Sequence, residues 1–157
     1  MEGTINLCEP IAHAPSGGVE RLVCEFASCA LARARWTHEA HLTVALWYLV
    51  RHPPAEATRL IRARIQHYNL AHGIRTTKTG GYHETMTLFW VRMVRRELAR
   101  LAGASLTLEE MAARVVERLG DKSLLLTCYS RARLMSWEAR ATWMEPDLKF
   151  FDAQGAK

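Results

Sequence analysis

The chain has 157 residues, 49% of them hydrophobic and 24% charged, which suits one globular domain and excludes a disordered chain. Its net charge of +5 comes from 21 basic and 16 acidic residues interleaved along the sequence. No continuous basic stripe or recognition helix forms, so nucleic acid is not an expected partner.

The longest apolar run, Leu42 to Val50, falls well short of the about 20 residues that span a bilayer. The opening Met1-Glu2-Gly3-Thr4 lacks the basic and apolar regions of a signal peptide. The expectation is a soluble, cytoplasmic protein without a membrane partner. Cys8, Cys24, Cys29 and Cys128 show no CxxC spacing and are expected to be reduced, mostly buried small hydrophobes.

Residues 1–15 read as an irregular arm, broken by Pro10 and Pro15. A first helix is predicted from Ser16 to Arg35, with Val19, Leu22, Val23, Phe26, Ala27, Ala30 and Leu31 on one stripe. Thr37 is placed to cap a second helix reaching His52, with Glu39 in its first turn. That helix is apolar nearly all round and is expected to be the most buried. Pro53-Pro54 ends it and starts a third, closed by Gly73. The polar stretch Gly73 to Gly81 reads as a loop, and a fourth helix runs from about Tyr82 to Ala102. Thr107 with Glu110 matches a capping box for a fifth helix ending at Gly120. Short helical pieces follow near Lys122–Tyr129 and from Ser136, and 147–157 reads as a tail.

The fold expectation is all-α: a single helical domain over 1–157, an up-and-down bundle of four to five main helices. A short-helix C-terminal segment would wrap one end.

In such a bundle His38 and His41, His67 and His72, and His83 share one end. His38 and His41 are i, i+3, so they point the same way, along the core line of Leu42, Ala45 and Leu49. His83 precedes Met86 and Trp90 on the core side of the fourth helix. Three inward imidazoles there are a candidate set for one divalent transition metal, iron, copper or zinc. Glu39 and Glu84 adjoin them as a ligand, a partner of a ligand or a general base, and Tyr82 lies beside them. The spacing is not the HExxH of zinc proteases. Metal-free alternatives stay open: an acid-base pocket, or histidines that only cap helices.

Tyr68, Asn69 and His72 fall at the same end and are candidates for orienting a substrate. The segment Ser123–Trp143, rich in Arg, Tyr and Trp, either covers a pocket or wraps the bundle. If it covers one, Tyr129, Arg131 and Arg133 would contact a small organic, anionic substrate.

Three segments resemble a group of small, uncharacterised bacterial helical proteins. They are Trp36-Thr37-His38-Glu39-Ala40-His41-Leu42, Gly81-Tyr82-His83-Glu84-Thr85, and Tyr129-Ser130 through Ala139-Arg140, Trp143 and Glu145-Pro146-Asp147-Leu148. With Tyr68-Asn69 and His72-Gly73 they cover most of the chain from Trp36 to Leu148. The resemblance implies a helical fold and carries no activity.

The leading expectation is therefore a small metal-dependent enzyme, more an oxidoreductase than a hydrolase or lyase. A non-catalytic helical interaction module is the reading from another class. A homodimer through an apolar face of the first helix is a further expectation.

Overall fold

The computed structural model describes residues 16–150. The arm expected at 1–15, and the tail beyond residue 150, lie outside the described residues. The elements are α1 (Gly18–Ala27), a single 3-10 turn (Arg33–Arg35), α2 (His38–Arg51), α3 (Pro54–Ala71), α4 (Glu84–Leu101), α5 (Leu108–Leu119), α6 (Leu124–Cys128), α7 (Arg131–Leu134) and α8 (Trp137–Ala141). The protein is an all-α bundle, and no helix among the described residues is long and apolar enough to cross a membrane.

Local chemistry sets most helix starts. Thr37 Oγ1 accepts the Ala40 N–H at 3.2 Å, capping α2. Pro54 opens α3, where the missing N–H costs nothing. Gly73 follows α3 at φ +67, a left-handed position. Thr107 and Glu110 form the reciprocal capping box of α5.

The first helix is shorter than its apolar pattern predicts. It stops at Ala27, where the Ser28 hydroxyl turns back onto the carbonyls of Cys24 and Glu25. Cys29 then takes φ +60. From α3, the Tyr68 hydroxyl donates to Leu31 O at 2.8 Å, and His72 Nε2 lies 3.1 Å from Cys29 O. These long-range bonds hold a turn that no glycine or proline announces. Val19, Val23 and Phe26 of α1 are buried within the chain, so the face on which a homodimer was expected lies inside the fold.

Helix α2 packs on α1, α3, α4 and α5 and buries every residue from Leu42 to Tyr48, as its all-round apolarity requires. The main core runs through α1 to α5. A second, smaller cluster of Phe89, Leu125, Tyr129 and Leu134 joins α4 to the short C-terminal helices. Those helices do wrap one end of the bundle, with α8 packed on α4.

Candidate ligand cavity

The start of α2, the end of α3, the start of α4 and the segment after α5 meet at one end, as an alternating helix order requires. They surround a cavity of about 610 Å³. Its walls are mainly apolar, with Ala45, Ile61, Ile65 and Val91 from the bundle and Leu125 and Leu134 from the C-terminal segment. His38, His41, Asn69, Thr87, Lys122 and Arg131 supply polar groups to the lining.

His41 is the most constrained of these. Its Nδ1 lies 2.6 Å from Thr37 O. A carbonyl can only accept, so Nδ1 carries the proton and Nε2 carries a lone pair. The ring stacks on Trp36 at 3.7 Å between centroids, and Trp36 stacks in turn on Phe26 at 4.3 Å. Nε2 has no hydrogen-bond partner among the described residues, and the half-buried ring lines the cavity. Burial pushes His41 down to about 4, against the Thr37 hydrogen bond, and His38 and Lys122 add to the depression. At neutral pH the ring is therefore an uncharged base.

His38 follows the same logic. Its Nε2 lies 2.9 Å from Leu119 O, a carbonyl at the end of α5 that lacks a helical partner. That bond places the proton on Nε2 and leaves Nδ1 as an acceptor. The ring sits edge-on to Trp90 at 4.4 Å, and burial, aided by Lys122, holds it below the usual imidazole range.

His83 has a different task. It is the N-cap of α4, with Nδ1 accepting the Met86 N–H at 3.3 Å and Nε2 donating to Leu134 O at 2.9 Å. Helix α4 accordingly starts at Glu84 rather than Tyr82. Both His83 nitrogens are used by the main chain, so its presence on the cavity wall brings no lone pair. Among the described residues no three His, Cys, Asp or Glu side chains are gathered to hold a metal ion. The three-imidazole set expected from the sequence is thus not assembled here: two free ring nitrogens fall short of the three protein ligands of a catalytic metal site.

No protein-family model, curated protein or solved structure matches this chain. Its function must be read from the cavity alone.

The other predicted residues divide between lining and support. Tyr82 and Asn69 line the cavity, as does Arg131. The Tyr82 hydroxyl is already spent, donating to Glu84 Oε2 at 2.6 Å. Burial and that carboxylate push Tyr82 well above the usual phenol range. Glu84 is buried and paired with Arg62, Nη2 to Oε1 at 2.6 Å, so it braces Tyr82 rather than facing a ligand. Glu39 is exposed and does not line the cavity. Tyr68 and His72 hold the turn after α1. Tyr129 donates to Met144 O at 2.7 Å, and Arg133 Nε to Glu145 O at 2.7 Å, so both fold the C-terminal segment onto itself.

Sequence reasoning missed the roles of Trp36, Trp90, Lys122 and Arg140. Trp36 lies five residues before His41, just ahead of the α2 N-cap, and that spacing by itself announces no stack. For Arg140 no sequence signal exists. Its buried guanidinium places Nη1 at 3.1, 3.4 and 3.2 Å from the carbonyls of Gly80, Gly81 and Tyr82. It therefore ties α8 to the loop that delivers Tyr82.

Gly81 in that loop has φ +80, and a Cβ there would sit 2.5 Å from Arg75 O and 2.7 Å from Thr76 Cα. Backbone atoms cannot yield as a side chain does. Gly81→Ala should cost about 3 kcal/mol in urea unfolding. At Gly80 the nearest contact is 3.7 Å away. Gly80→Ala should stay within about 0.5 kcal/mol of the parent, and equal losses at the two positions would contradict this account.

Proposed function

We propose that the protein binds a small, largely apolar organic molecule bearing a hydrogen-bond donor, and that His41 is the neutral base that receives it. The observation that carries this reading is His41 on the lining of an apolar cavity, with Nδ1 bonded to Thr37 O and no hydrogen-bond partner on Nε2 among the described residues. Sites for small organic molecules combine apolar walls with a few oriented polar groups. The polar groups of the lining include two ring acceptors, His41 Nε2 and His38 Nδ1. An O–H or N–H on the ligand complements them. An imidazole whose other nitrogen donates to a carbonyl is oriented for proton abstraction, which is the reaction class this geometry serves. Trp36 and Thr37 keep the ring in place, so little reorganisation accompanies proton transfer.

The test uses 2-naphthol and its methyl ether, 2-methoxynaphthalene, read through quenching of Trp36 and Trp90 at the cavity. The parent protein should prefer 2-naphthol by about ten-fold, the worth of one good hydrogen bond. His41→Phe keeps a flat ring against Trp36 and should lose most of that preference. Failure of both to bind the parent protein, or a preference that survives in His41→Phe, would overturn the proposal.

A further inference from the structure

Resting on that reading, we infer that the natural ligand is an amphiphilic organic anion whose carboxylate sits at the cavity mouth between Lys122 and Arg131. Both cations line the cavity and both are exposed, which places them where it opens to solvent. Neither takes part in an ion pair among the described residues. Among the described residues no carboxylate lines the cavity. Three carboxylates adjoin lining residues in sequence: Glu84 has its oxygens engaged by Arg62 and Tyr82, Asp121 beside Lys122 accepts from Ser123 N, and Glu39 is exposed off the lining. Among the described residues the lining itself therefore carries two positive charges and no negative one, with Asp121 the carboxylate next to Lys122 in the chain.

The same lining also leaves apolar side chains in solvent. Leu126 and Met135 belong to it while remaining 40% and 47% exposed. Apolar side chains left in solvent beside two cations match a molecule whose body is apolar and whose end is anionic. A guanidinium fork pairs two N–H groups with the two oxygens of a carboxylate, and a lysine adds a point charge. The acceptors at His38 and His41 lie on the lining with them and would meet a donor on the body. The ligand class is then a hydroxy- or amino-substituted aromatic or aliphatic carboxylate.

Three naphthalenes separate this inference from the reading beneath it. 6-Hydroxy-2-naphthoate carries both groups, 2-naphthol lacks the carboxylate, and 6-methoxy-2-naphthoate lacks the donor. At low ionic strength 6-hydroxy-2-naphthoate should bind about ten-fold tighter than 2-naphthol, with the gain shrinking as salt is added. The double variant Lys122→Gln, Arg131→Gln alters only exposed side chains, so the fold is retained. It should lose that gain, so that 6-hydroxy-2-naphthoate and 2-naphthol bind the variant alike. If 6-hydroxy-2-naphthoate binds no tighter than 2-naphthol, or its gain persists in the double variant, the anion inference falls while the cavity reading stands. If 6-methoxy-2-naphthoate binds as tightly as 6-hydroxy-2-naphthoate, the base at His41 falls while the anion site stands. If none of the three binds, both fall.

Discussion

Arg140→Met should lower the stability of the protein by about 2 kcal/mol in urea unfolding and weaken 2-naphthol binding in parallel. Two effects oppose one another. The buried guanidinium is costly, since its Nε finds no partner, and methionine relieves that cost. Against it stand the contacts from Nη1 to three successive carbonyls, which methionine cannot replace. Three charge-assisted contacts outweigh one idle N–H, so the net effect is a loss. The loop from Gly80 to Tyr82 is then released from α8, and Tyr82 lines the cavity, so binding suffers as well as stability. A variant within about 0.5 kcal/mol of the parent would show that the clamp contributes nothing net.

Acid should destabilise the protein earlier than its carboxylates alone would. In the folded protein His41 is held at about 4, against 6.5 for an ordinary imidazole. Between those values the unfolded chain binds more protons than the native one, so stability rises with pH. The contribution is complete above about pH 6.5 and is lost as the pH falls toward 4. Its size is on the order of 2 kcal/mol, reduced from the full linkage value because the residue is only half-buried. His38 and His83 are depressed too, and act in the same direction. Urea unfolding across this range should show the loss, and His41→Phe should remove its largest part. The preference for 2-naphthol over its ether should persist well below pH 6.5 and vanish only near pH 4, where Nε2 takes up its proton. A preference that titrates near 6.5 would mean that His41 is not desolvated as described.

What the sequence revealed depended on how far each determinant reached along the chain. Thr37, Pro54 and the Thr107–Glu110 pair act on their own next turn, and the starts of α2, α3 and α5 are where those residues put them. The i, i+3 spacing of His38 and His41 placed both rings on the cavity lining. Which nitrogen each ring offers was not legible. The tautomer of His38 is set by Leu119 O, 81 residues away. His83 was misread for a related reason. Its helical periodicity pointed inward, but as an N-cap it spends Nδ1 on its own helix and Nε2 on Leu134 O, 51 residues on. The early end of α1 likewise depends on Tyr68 and His72, far along α3.

The division of the interior into two apolar clusters has an energetic corollary. The cavity lies on the seam: Ala45, Ile61 and Val91 belong to the larger cluster, Leu125 and Leu134 to the smaller. An occupant touches both and acts as mortar between them. By linkage, whatever free energy it gains from the C-terminal wall is returned as cohesion of that wall with the bundle. Affinity and the docking of the short C-terminal helices would then be one coupled quantity.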